Sequence, residues 1–222
     1  MAAADRDLAD AAILRPIAYC FWLITRLTVG SRQDFLTTLR ALGLDITGGS
    51  SAVSFIAHLT EFTRTQLSDD ILPGHFTELA SLSMRRVFTD LTTTQGSLFA
   101  TSLDDLQEAF RSQSDPRGFS LLTQQYFGDL LSRTLRSYID RDLPEHVGSG
   151  RAFAQVADAR AFEQALDTYC RESARILRDF ANDWYALRTF VRPRDISLQD
   201  ARSFTAIAMG KLRKDLLLAV TA

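Results

Sequence analysis

The stretch from Ala159 to Phe190 contains neither proline nor glycine and repeats its apolar side chains at intervals of three and four. Phe162, Leu166, Tyr169, Ile176, Leu177, Phe180, Trp184 and Leu187 share one stripe of an α-helix, interrupted only by Ser173. One continuous helix over this stretch would span about 45 Å. Its stripe holds more aromatic surface than water tolerates, so several shorter helices are expected to pack against it.

The remainder of the chain supplies them. Pro16 suits the first turn of an apolar helix running from about Arg15 to Val29–Gly30. Ser31-Arg-Gln-Asp34 has the form of a capping box opening a short helix through Phe35, Leu36, Leu39 and Leu42. A third helix from about Ser51 carries Val53, Ile56, Ala57 and Leu67 in one row and Phe55, Leu59 and Phe62 in another, which predicts burial on more than one side. Helical spacing returns over His75–Leu91 and Ser120–Asp140, and capping boxes at Ser102–Asp105 and Ser197–Asp200 open two more helices. No period-two alternation, βαβ rhythm or internal repeat occurs. The expected fold is therefore all-α: a bundle of about seven helices organised around the long C-terminal-half helix. It forms one domain over 1–222, with 143–150 the only natural place to divide it.

Charge discriminates weakly among functions. The net charge of −2 gives no overall attraction to nucleic acid or anionic membrane. Residues 171–222 carry ten Arg/Lys against six Asp/Glu, whereas residues 1–170 carry fifteen against twenty-one. An anionic partner would thus meet the C-terminal third. Only Lys211 and Lys214 are lysines among 25 basic residues, a compositional habit that suggests a GC-rich bacterial source. Cys20 and Cys170, both in apolar helical stretches, read as reduced core residues of a cytoplasmic protein. The apolar run Pro16–Thr25 lies between Arg15 and Arg26 and is too short to span a bilayer, so a buried helix is expected there.

Complete catalytic motifs are absent. Gly148-Ser-Gly150 has no third glycine or preceding strand, Gly210-Lys211 lacks the rest of a phosphate-binding loop, and no Gly-x-Ser-x-Gly occurs. His58 and Glu61 could share a helix face, but a di-iron bundle needs two Glu-x-x-His pairs, so no metal or other cofactor is expected. The acid pairs Glu163/Asp167 and Asp179/Asp183 are expected on the solvated flank of the long helix.

One local pattern carries chemistry. Arg141-Asp142-Leu143-Pro144-Glu145-His146 places a polar residue after an arginine and a histidine four positions further on. It resembles the Arg-polar-x-x-x-His signature of HEPN-type ribonucleases, which are small α-helical bundles that act without metal. The resemblance implies that Arg141 would hold phosphate, Asp142 would orient, and His146 would act as acid or base across a homodimer. Pro144 departs from the pattern, because proline disfavours the regular helix on which that signature lies.

A second set of candidates, Arg188, Arg192, Arg194, Arg202, Lys211, Arg213 and Lys214, could meet phosphates if they converge on one face. The sequence therefore points first to a non-enzymatic interaction or adaptor subunit of a bacterial complex. It would have a protein partner, could contact nucleic acid through its basic C-terminal region, and could self-associate. Fifteen Phe, two Trp and five Tyr exceed what single core stripes absorb, and surplus aromatic surface marks interfaces.

Overall fold

The structure is a computed structural model that describes residues 11–44, 46, 51–68, 74–93, 102–142, 155–191 and 196–221. Among them are nine α-helices: α1 Ala11–Gly30, α2 Phe35–Ala41, α3 Ala52–Ser68, α4 Gly74–Thr93, α5 Leu103–Ser112, α6 Pro116–Asp142, α7 Val156–Ser173, α8 Leu177–Val191 and α9 Leu198–Thr221. No strand occurs among the described residues, and the fold is an all-α bundle as the periodicities require. The count exceeds seven in part because a three-residue 3₁₀ turn, Ala174–Ile176, divides the long helix into α7 and α8.

Helix α1 lies deepest. Ile17, Ala18, Cys20, Phe21, Leu23, Ile24 and Leu27 are all fully buried. Its Ile13–Gly30 window is long and apolar enough to cross a membrane by length and composition, yet 61% of it is buried inside the fold. α1 packs against α4 and α9, with α2, α5 and α6 touching it more locally. Phe21 sits at the centre of an aromatic group made by Phe119, Tyr126, Phe127, Trp184 and Phe204, with ring centroids 4.7 to 6.3 Å away. A second group, Phe35, Phe55, Phe88 and Phe110, joins α2, α3, α4 and α5. Both belong to one contiguous core.

Local chemistry sets several helix ends. Ser102 accepts from the Asp105 backbone N–H at 3.1 Å, and Asp105 accepts from that of Ser102 at 2.8 Å, closing the expected capping box. Ser197 and Asp200 reciprocate in the same way, both at 3.1 Å. The expected box at Ser31–Asp34 is not formed. Asp34 is itself the N-cap of α2, accepting from the Thr37 N–H at 3.0 Å, while Ser31 donates backwards to the Thr28 carbonyl. Gly43, at φ +81°, ends α2 in the left-handed region, with the Leu44 N–H returning to the Leu39 carbonyl.

Helix α3 corrects another expectation. Ala52, Phe55, Ile56, Leu59, Thr63 and Leu67 are buried, whereas Ala57 and His58 are exposed. One face is covered rather than two, because α3 is an outer helix packed chiefly on α4. Phe55 is thus core and no part of an aromatic surplus.

The long helix follows α6 along its length; of the expected stripe Leu177 is buried and Leu166, Phe180 and Trp184 pack against the core, but its other large residues do not turn inwards. Ala159, Cys170, Ala174, Leu177, Ala181 and Tyr185 form its buried row. Small residues let the two backbones approach closely. A Cβ placed on Gly128 of α6 would lie 3.3 Å from the Arg171 Cα and 3.4 Å from the Ala174 Cβ. Five other large apolar residues are turned towards the outside. Phe162 is 37% exposed, Tyr169 38%, Ile176 47%, Leu187 60% and Phe190 88%.

Candidate functional site

Of the basic C-terminal candidates, Arg188, Arg202, Lys211, Arg213 and Lys214 lie among the described residues. Arg188 at the end of α8 pairs with Asp200 at the start of α9, 2.6 Å apart, with 33% and 17% of their side chains exposed. Asp200 also closes the capping box, so one carboxylate both opens α9 and fastens it to α8. Farther along α9, Lys211 Nζ stands 5.7 Å from the Phe180 ring centroid. At 100° per residue, Arg202 and Arg213 fall on one flank of α9 and Lys211 and Lys214 on the other. Arg192 and Arg194 lie outside the described residues.

The ribonuclease-like pattern is described only in part. Arg141 and Asp142 are the last two residues of α6, and His146 lies outside the described residues. His58 is exposed on α3, with Nδ1 2.9 Å from the Ser54 carbonyl oxygen, while Glu61 pairs with Arg64 at 2.8 Å. No group of three or more metal-ligating side chains occurs among the described residues.

Two surface features stand out instead. The first is the exposed apolar edge of α7 and α8. Phe162, Tyr169 and Ile176 follow at intervals of seven, and Leu187 and Phe190 extend the series to the end of α8. Across the α8–α9 seam, Phe180 stacks on Phe204 and Trp184 meets it at a tilt, with centroids 4.7 and 4.9 Å away. On α9, Ile207 and Leu217 are 49% and 45% exposed. Glu172, Asp179 and Asp183 are exposed on α7 and α8, and Lys211 and Lys214 on α9. Glu172 pairs with Arg175, so the ledge carries Asp179 and Asp183 along α8 and Lys211 and Lys214 along α9.

The second is a cleft of about 370 Å³ where α4, α5 and α6 meet α7 and α8. Leu91, Ala109, Leu121 and Leu122 give it apolar walls, and Gln113, Gln124, Gln125, Asp90, Arg171 and Arg178 line the rest. A smaller hollow of about 190 Å³ adjoins it, sharing Asp90, Gln125 and Arg171 and adding Arg86, Asp129, Ser132 and Asp167.

Three ion pairs bound this trough. Arg86 pairs with Asp90 at 2.9 Å, Arg133 with Asp129 at 2.5 Å, and Arg136 with Asp167 at 2.6 Å. Asp167 also accepts from the Ser132 hydroxyl. It faces α6 rather than the solvated flank, because the α6–α7 contact brings two donors to it. Arg171 and Arg178 have no carboxylate at ion-pair distance among the described residues. Gln124 joins them: its amide N–H donates to the Arg171 carbonyl at 2.8 Å, and its oxygen accepts from Arg178 Nε at 2.5 Å. Sequence reasoning missed these three residues. The available signal was the seven-residue spacing of Arg171 and Arg178, two turns apart on the long helix.

Neither cysteine offers a reactive centre. Cys20 is fully buried, and loss of solvent pushes its thiol up to about 12, against the opposing hydrogen bonds of Ser81 and Tyr126. Burial raises the Cys170 thiol to about 12 as well, with Asp167 adding to the effect. No protein-family model, no curated protein and no solved structure matches this chain.

Proposed function

We propose that this protein is a non-enzymatic interaction subunit of a bacterial complex, and that the ledge on α7, α8 and α9 receives an amphipathic segment of a different protein. The outward series Tyr169, Ile176, Leu187 and Phe190 carries this reading. It places large apolar side chains along the solvent edge of a helix whose small residues already fill the interior contact. A run of exposed apolar residues along a helix edge is the surface an apolar partner helix fits. Acids on the α8 side and bases on the α9 side would orient that helix and set its register.

A photo-crosslinking residue introduced in place of Ile176 or Phe190 tests the proposal, with His58, exposed on α3, as the control position. The proposal expects one protein species crosslinked from both ledge positions and none from position 58. Crosslinks solely between copies of this chain, or the same products from all three positions, would contradict it. The ribonuclease-like alternative predicts instead that Arg141→Ala abolishes RNA cleavage by a folded homodimer, and the interaction reading predicts no cleavage to abolish.

A further inference from the structure

We propose that the cleft between α4, α5, α6 and the α7–α8 helix is a binding site for a phosphorylated small molecule. Three arginines (Arg86, Arg171 and Arg178) and three aspartates (Asp90, Asp129 and Asp167) line the trough, and the aspartates pair with Arg86 and with Arg133 and Arg136 beside it. Arg171 and Arg178 are left over, and both line the larger cleft. An arginine held at a cleft wall by a neutral amide keeps its full charge and most of its donors for a ligand. Gln124 does this for Arg178, using only Nε and leaving both terminal nitrogens uncommitted by any described hydrogen bond. The same Gln124 fixes the backbone at Arg171, so the two cations are tied through one side chain that is 9% exposed.

Size and lining narrow the ligand. A volume of about 370 Å³ lies within the small-molecule range and is far below what a nucleic-acid duplex requires. Two arginines at one cleft, Arg171 with its Nε given to the Asp167 carbonyl at 3.3 Å and Arg178 with its Nε given to Gln124, suit the several oxygens of a phosphate or diphosphate better than a single carboxylate, which one fork can satisfy. The apolar walls from Leu91, Leu121 and Leu122 accept an organic body, and the Gln113 and Gln125 amides offer hydrogen bonds to its edge. This site is separate from the apolar ledge and does not rest on it.

Inorganic pyrophosphate is the direct probe, titrated calorimetrically into the full chain at low ionic strength, where partly exposed cations are least screened. The expected result is saturable one-site binding that weakens about tenfold in Arg171→Gln or Arg178→Gln and about a hundredfold in the double variant. Arg175→Gln, which removes an exposed arginine paired with Glu172, should bind as the wild type does. Circular dichroism and thermal melts of each variant distinguish lost binding from lost folding. Gln124→Glu offers a second reading, since its new carboxylate would neutralise Arg178 and weaken binding with both arginines present. No saturable binding at millimolar pyrophosphate, or equal weakening by Arg175→Gln, would overturn the proposal.

Discussion

Asp200 shows how much one side chain settles here. It caps α9, takes the Ser197 N–H and hydroxyl, and pairs with Arg188 of the preceding helix. Asp200→Ala should therefore cost about 1–2 kcal/mol, the loss of a cap plus a modest ion pair, measured by urea unfolding. Arg188→Ala, which leaves the cap intact, should cost less. The buried acids bear on pH. Burial raises Cys20, Cys170 and Tyr185 to about 12, so each remains neutral in the folded protein when its unfolded counterpart has begun to ionise. Their raised folded values mean that the unfolded chain binds fewer protons above its own thiol and phenol pKa, near 9–10. Stability should accordingly be steady through neutral pH and fall as pH rises from about 9 towards 12, at up to about 1.4 kcal/mol per pH unit for each ionising group. Thermal melts across that range check the slope. A flat profile would mean that these groups are solvated in the folded protein.

At the scale of elements, the inner and outer rows of the long helix separate packing from display. Leu177→Ala removes a fully buried side chain and should cost about 2–5 kcal/mol. Leu187→Ser with Phe190→Ser changes side chains that are 60% and 88% exposed, and should move stability by only about 0.5 kcal/mol. Equal destabilisation by the two would refute the inner and outer assignment. The comparison also shows what sequence could and could not reveal. Periodicity marked the long helix and its large apolar stripe, and of the three capping boxes marked by the serine-aspartate spacing, two form. Periodicity could not show which edge turns inwards, because that choice follows from how closely two backbones approach. Gly128 and Ala174, three-dimensional neighbours far apart in sequence, make the close approach, and neither is conspicuous in a hydrophobic pattern. The same limit concealed the cleft. Gln124 on α6 and Arg178 on α8 meet only once the helices are packed, whereas the basic run near the C-terminus was visible, and its members on α9, Arg202, Lys211, Arg213 and Lys214, fall on two flanks.

For the molecule as a whole, the fold divides its surfaces by task. α1 and two aromatic groups build the interior, with Phe21 touching five other rings, so Phe21→Ala should cost about 3–5 kcal/mol. The cleft lies where α4 to α6 meet the long helix, and the apolar ledge runs along that helix's outer edge. Binding at the ledge is the central claim. Its most direct measurement is quantitative co-purification of the tagged protein from its source cells, wild type beside an Ile176→Glu, Leu187→Glu, Phe190→Glu variant. Bound protein and nucleic acid are both identified, and the two folds are compared by thermal melt. The account predicts a protein retained stoichiometrically by the wild type and lost from a variant that melts at the same temperature. The same protein retained equally by both, or nucleic acid as the sole companion of either, would contradict it.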